Sequence, residues 1–215
     1  MKVVSINVGM PRRLHYGDRD VTTSIFKSPV ASPVLLRRLN LDGDLQSDLR
    51  VHGGKNKAVY AYPVEHYEYW RGQLPDYEFQ WGNFGENFTT EGLLEPSAYL
   101  GDQYRVGEAV IKITQPRLPC YKLGIRFDRP DMVKRFLASR RSGIYFSVVE
   151  PGLVRVGDTF SRILEDQRRI SIADINCAYN APQENFELLR RIVTLEVLPG
   201  GLHAEFSEML TTLEQ

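Results

Sequence analysis

From Val3 to Ile163 the chain consists largely of short β-branched and aromatic stretches broken by Gly-containing turns, and after Leu164 that pattern stops. This switch constrains the fold more than any other feature of the sequence. Strands this short bury a face only by pairing with several neighbours. Val3–Val8 alternates as a strand does. Gln103–Thr114 reads as two strands joined at Gly107-Glu108, and Ile144–Val149 and Leu153–Ile163 as further strands, with turns at Pro151-Gly152 and Gly157-Asp158. Val30–Leu39 mixes proline with apolar residues and suits a strand edge or turn. Pro63–Leu74 opens on proline and carries Val64, Tyr67 and Trp70 or Arg71 at helical spacing, which predicts a helix. Asp131–Arg140 predicts a second, shorter one. Gly9–Asp20 and Glu78–Pro96 read as loops. The pattern predicts a mixed, mainly β body over residues 1–164, a closed or nearly closed β-barrel with a few flanking helices.

The remainder, residues 165–215, begins with a charged linker, Glu165–Arg169, and loses strand alternation. Ser171-x-x-Asp174 has the form of a capping box. Gln183–Val193 and Gly201–Leu213 carry apolar residues on one helical face (Phe186, Leu189 and Val193; Leu202, Phe206, Met209 and Leu213). Three short helices form too small a core to stand alone, so they are expected to dock on the barrel or on a second copy of the chain, which favours a homodimer.

Composition removes several classes. Lys plus Arg is 27 and Asp plus Glu is 27, so overall charge makes no case for a nucleic-acid polymer or an acidic membrane. There is no run of about 18 apolar residues to span a bilayer. The opening MKVVSINVGM reads as a strand rather than a secretory signal. The two cysteines, Cys120 and Cys177, form no CxxC or disulfide framework, which suits a reducing, cytoplasmic setting. The four histidines are scattered, without HExxH or a zinc-type Cys pair, and there is no phosphate-loop or dinucleotide fingerprint.

Three segments carry potential chemistry. In Val51-His52-Gly53-Gly54-Lys55-Asn56-Lys57-Ala58-Val59, the glycine pair lets backbone N–H groups approach an anion, with His52 and Lys57 as flanking donors. Taken alone it is equally an ordinary turn into a strand. In Gly85-Glu86-Asn87-Phe88-Thr89, the Asn87 amide can donate and accept toward a heterocycle edge, or simply hold a polar turn. In Pro116-Arg117-Leu118-Pro119-Cys120-Tyr121-Lys122, a cysteine lies between two basic residues. A lone cysteine is usually a small buried hydrophobe, yet a neighbouring cation favours the thiolate, a soft donor for metals. An extended chain here would aim Lys122 with Cys120 and Arg117 away from it.

In order along the chain stand Ile25-Phe26-Lys27-Ser28-Pro29, Gly43-Asp44 with Asp48, His52-Gly53-Gly54 with Lys57-Ala58-Val59, Gly85-Glu86-Asn87, Leu100-Gly101-Asp102, Pro119-Cys120, Gly143-Ile144-Tyr145 and Val156-Gly157-Asp158. This order and spacing resemble the MOSC domain, the family named for the C-terminal part of molybdenum-cofactor sulfurase. More narrowly they resemble its bacterial 6-hydroxylaminopurine-resistance subgroup, in which a three-helix domain follows the barrel. The resemblance implies a molybdopterin cofactor, with Cys120 as protein ligand to molybdenum or as a sulfur carrier. In the reductase branch it implies removal of oxygen from N-hydroxylated compounds: R–NHOH plus two electrons and two protons gives R–NH2 and water. Lys27, His52, Gly53, Gly54 and Lys57 are then candidate donors to the cofactor's phosphate, with Arg117 also in the cofactor site. Asn87 is a candidate for the pterin edge or the substrate, and His52 for proton transfer. Two alternatives stay open: a sulfur carrier using a Cys120 persulfide, and a non-catalytic molybdopterin-binding module. A two-electron reductase with two cysteines lacks the four that an iron–sulfur cluster typically needs, so electrons are expected from a separate protein.

Overall fold

The computed structural model describes residues 1–47 and 53–215. Its body is one eight-stranded sheet. In chain order its strands are β1 (Lys2–Val8), β4 (Ser28–Pro29), β6 (Val59–Pro63), β7 (Phe88–Glu91), β8 (Gln103–Val106), β9 (Ala109–Pro116), β10 (Ile144–Glu150) and β12 (Phe160–Leu164). They pair in the order β12-β8-β9-β10-β6-β7-β1-β4, antiparallel except for β6 with β7. Two small ribbons join β2 (Arg12–Tyr16) to β3 (Arg19–Thr23), and β5 (Val34–Leu36) to β11 (Gly152–Val154). Single backbone bonds, Val3 N–H to Asp158 O at 2.9 Å and Gly157 N–H to Val3 O at 2.8 Å, tie β1 to the turn ahead of β12.

Helices α1 (Val64–Gln73), α2 (Tyr121–Phe127) and α3 (Met132–Ser139) cover one side. Here Tyr60 and Tyr62 of β6 pack with Tyr67, Trp70, Phe84, Phe127 and Phe136 in an aromatic core. The opposite face of β6, Val59 and Ala61, belongs to a mainly aliphatic core, which explains why all five residues of this strand are buried.

That aliphatic core runs without a break into α4 (Ile172–Asn180), α5 (Phe186–Val193) and α6 (Gly200–Leu213). Ile172, Ile175, Leu189, Ile192, Leu202 and Phe206 share it with Ile111, Ile113 and Phe146 of the sheet. The expected capping box is formed: Asp174 N–H donates to Ser171 Oγ at 3.0 Å, and Ser171 N–H to Asp174 Oδ2 at 2.8 Å. The helices thus dock on the chain's own sheet.

Two expectations are corrected. Gly9–Asp20 is not a loop, because Arg12–Thr23 forms the β2–β3 hairpin around Gly17 (φ +59°). Glu78–Pro96 is not all loop, because β7 sits inside the sheet between β6 and β1. The turn expected at Gly157-Asp158 is present: it separates β11 from β12, with Gly157 at positive φ.

Candidate functional site

A cavity of about 630 Å³ opens where β6 begins, β9 ends and β10 begins. Its size falls in the range of about 300–1,000 Å³ typical of small-ligand clefts. Three chain segments and one helical wall enclose it.

The first segment leaves β9. Pro116 ends the strand, and Arg117, Leu118, Pro119 and Cys120 run along the cavity wall. Cys120 is still extended (φ −125°, ψ 173°), and its carbonyl accepts from Leu123 N–H at 2.9 Å as α2 begins. This corrects the expectation of a continuously extended chain. Residues 117–120 are irregular and lead into α2, and Arg117, Cys120 and Lys122 all line the same cavity. Cys120 is half-buried, and Arg117 and Lys122 are buried. The Arg117 guanidinium donates to Phe84 O at 2.5 Å and lies over the Tyr60 ring at 4.9 Å. Burial opposes its charge, but the fields of Tyr60, Tyr145 and Cys120 prevail and hold its pKa above the ordinary value.

The second segment is Gly53–Lys57. Gly54 adopts φ +85°, a conformation that disfavours any side chain, and a Cβ there would meet nothing within 4 Å, so the backbone faces open space. Gln46 holds the segment: its amide donates to Lys57 O at 3.0 Å and accepts from Gly54 N–H at 3.3 Å. Lys55–Lys57 then makes one turn of 3-10 helix into β6, in place of a hairpin turn. Lys55 and Lys57 both line the cavity. Burial pushes the Lys57 pKa down, against the opposing fields of Glu205 and Cys120. His52 lies outside the described residues.

The third segment brings Lys27, Asp44 and Asn87 together. The Lys27 ammonium pairs with Asp44 Oδ1, which also accepts from Gly9 N–H at 2.8 Å. Burial pushes the Lys27 pKa down, Asp44 and Glu86 oppose the shift, and Arg117 adds to it. The Asn87 amide nitrogen donates to Asp44 Oδ2 at 2.9 Å and to Asn7 O at 3.4 Å, and its oxygen accepts from Tyr60 N–H at 3.2 Å. Asn87 therefore borders the cavity, but both its donor hydrogens are engaged within the protein. Within the protein it braces Asp44. Neighbouring Glu86 is sealed, accepting from Tyr67 O–H at 2.5 Å, Gly82 N–H at 2.7 Å and Thr89 O–H at 2.9 Å, and burial raises its pKa.

The structure thus gathers Lys27, Gly53, Gly54, Lys57, Asn87, Arg117 and Cys120 around one space. It adds residues the sequence reading did not propose. Tyr145 was visible within the Gly143-Ile144-Tyr145 stretch; Tyr179 and Glu205 carried no sequence signal. Among the described residues no three His, Cys, Asp or Glu side chains cluster as a metal site. A metal here would therefore have to arrive with ligands of its own, with Cys120 as the soft protein donor.

A sheet body with flanking helices, built around a cation-lined cavity with one cysteine on its wall, is the class of protein defined so far. The family model for the MOSC domain matches residues 48–161, and the chain belongs to that family. YflK of Bacillus subtilis is 37% identical over 204 residues, covering 95% of this chain and 92% of that protein. A protein named reductase from Gibberella moniliformis is 29% identical over 179 residues, which span 82% of this chain but 32% of that protein. The crystal structure of YiiM from Geobacillus stearothermophilus superposes with a TM-score of 0.80 at 34% identity, covering 97% of this chain and 98% of that one.

Proposed function

We propose that this chain is a molybdenum-cofactor-dependent reductase of N-hydroxylated compounds, 6-hydroxylaminopurine-type base analogues among them. The observation that carries this reading is the placement of the Cys120 sulfur on a cavity wall shared with Lys27, Lys55, Lys57, Arg117 and Lys122. Five basic side chains and an open diglycine backbone fit an anionic, phosphate-bearing cofactor. The soft sulfur fits its metal.

When bound, the cofactor supplies two-electron reduction with oxygen-atom acceptance, which is the chemistry that N–O cleavage needs. The chain's own residues bind and orient. Arg117 and Lys27 offer charged N–H donors from fixed, buried positions. Asp44 and Asn87 hold Lys27 in place, and Cys120 anchors the metal. Tyr60, Tyr145 and the adjoining aromatic core exclude water from one side. We assign residues 1–164 to the cofactor-binding body, with β1 bonded toward the β12 end in a barrel-like closure, and 165–215 to a helical cap. Electrons come from a separate donor protein in the cytoplasm, because two cysteines cannot carry an iron–sulfur cluster.

The test is reconstitution with molybdopterin cofactor, followed by molybdenum analysis and an N-hydroxylamine reduction assay with an artificial reductant. Wild type should retain stoichiometric molybdenum and turn over. Cys120→Ala should lose the metal and at least about 100-fold of the rate, as expected when an only protein ligand is removed. Cyanide-releasable sulfur without molybdenum would overturn the reading in favour of a persulfide carrier. Tight cofactor binding without turnover would overturn it in favour of a delivery module. Direct reduction by NADH with no partner added would overturn the need for a donor protein.

A further inference from the structure

The cavity walls are unequal in charge. The wall made by Gly53–Lys57 and by Arg117–Lys122 carries Lys55, Lys57, Arg117 and Lys122, and Lys27 adds to it. Of the two carboxylates that line the cavity among the described residues, Asp44 accepts from Gly9 N–H, Lys27 and Asn87. The other, Glu205, comes from α6. Its Oε1 accepts from Tyr179 O–H of α4 at 3.0 Å, and this is the hydrogen bond that engages it among the described residues. Oε2 carries no hydrogen bond among the described residues, and Glu205 borders both this cavity and the groove beside Pro182 and Gln183. Burial and the carboxylate keep the Tyr179 hydroxyl protonated, with its pKa pushed up to about 12, so Tyr179 remains a donor that fixes the carboxylate's orientation. Glu205 also sits in the field of Lys57, and Lys57 in that of Cys120. The carboxylate is thus close to the sulfur's surroundings although it comes from a separate layer of the fold.

An acceptor facing an otherwise donor-rich cavity has no use toward a phosphate, which it repels. It does suit a ligand edge carrying N–H groups. We propose that Glu205, oriented by Tyr179, is the substrate-recognition acceptor of the site, selecting N-hydroxylated compounds whose reacting carbon also bears N–H, such as amidoximes and N-hydroxylated aminoheterocycles. Glu205 determines specificity and Tyr179 positions it. The inference rests on the reductase reading for its substrate class. It adds which residues choose within that class, and it gives the helical cap a part in the site.

The experiment compares benzamidoxime with benzaldoxime, which differ by NH2 against H on the oxime carbon, using calorimetric Kd values on reconstituted wild type, Glu205→Gln and Tyr179→Phe, with molybdenum content and reduction rate measured alongside. Wild type should bind benzamidoxime about 10-fold or more tightly than benzaldoxime, since a site built to pair with an N–H rejects the analogue lacking it. Glu205→Gln should compress that ratio to about threefold or less with molybdenum content unchanged, and Tyr179→Phe should lower it by a smaller factor. An unchanged ratio in Glu205→Gln, or no discrimination by wild type, overturns the inference even if both oximes are reduced. Loss of molybdenum from Glu205→Gln also overturns it, since the carboxylate would then serve the cofactor. Glu205-dependent selectivity without reduction of either oxime would instead overturn the reductase reading and uphold the recognition role.

Discussion

Two buried polar clusters in this molecule look alike in composition and differ in what they face. In the interior, His66 of α1 bonds Glu95 through Nε2, at 2.9 Å to Oε1 and 2.8 Å to Oε2, while Gly143 N–H donates to Oε1 at 2.8 Å. Asn176 of α4 donates to Ser142 Oγ at 2.9 Å alongside. None of these five residues lines the cavity that Cys120 borders. Beside the cavity, Lys27 pairs with Asp44 and Arg117 donates to Phe84 O, and Lys27, Asp44 and Arg117 all line the open space. The first cluster is a strut joining α1, α4 and the Gly143 turn. The second lines a cavity with cationic side chains, an arrangement that suits an anion. Burial and charge alone do not separate structure from function in this protein; what each cluster faces does.

If that distinction is real, stability and binding should separate. The largest effect is expected at the strut. Glu95→Ala leaves His66 and Gly143 N–H without their partner and should cost about 3–5 kcal/mol in urea denaturation, as breaking buried pairs does. The variant that remains folded should bind cofactor as wild type does. A loss below about 1 kcal/mol, the size of one ordinary hydrogen bond, would break the comparison.

Arg117→Met should do the opposite. Replacing a buried charge by an apolar side chain of similar length is often close to neutral for stability. Loss of a charge-assisted donor, worth about 1.5–3 kcal/mol, should weaken cofactor retention about 10–100-fold. Equal losses of stability and binding would show Arg117 to be a strut like Glu95.

The sequence disclosed the two clusters unequally, for physical reasons. The cationic wall was legible because Gly53-Gly54, Lys57 and Pro119-Cys120 are local signals whose chemistry survives without knowledge of tertiary packing. The α4 start was legible because a capping box is closed within four residues. The β2–β3 hairpin was not, because most of its residues face solvent and no apolar alternation marks it. Strand β7 was hidden by the Gly- and Asn-rich turn before it, and α2 by Pro119 at its threshold. Arg117 lines the cavity together with Cys120 because residues 117–120 are irregular and lack the alternation of an extended strand. Tyr179 and Glu205 reach the site only because α4 and α6 dock on the sheet core, and no spacing in the sequence records that convergence. Asn87 borders the cavity while its amide is bonded to Asn7, Asp44 and Tyr60, residues distant in sequence that no local spacing records.

The smallest expected effect sharpens the comparison through pH. Burial holds the Lys27 pKa below its ordinary value of 10.5, and the Asp44 field only partly offsets that. The folded protein therefore binds fewer protons than the unfolded chain in the window between the lowered value and 10.5. This group's contribution to stability is present above that window and is lost as pH falls through it. A bound anion reverses the preference by favouring the ammonium, so affinity should be highest below the folded pKa and decline as pH rises past it. With one linked proton the decline is at most about tenfold per pH unit. Lys57 is shifted in the same direction by burial, so Lys27→Met should flatten the profile in part and the Lys27→Met, Lys57→Met pair should flatten it further. Inorganic phosphate, titrated by calorimetry between about pH 7 and about pH 10, reads this without any redox chemistry. The strut provides the control: no lysine enters it, so Asn176→Ala should leave the slope of that profile unchanged. A slope indifferent to Lys27 but altered by Asn176→Ala would assign the anion site to the wrong cluster.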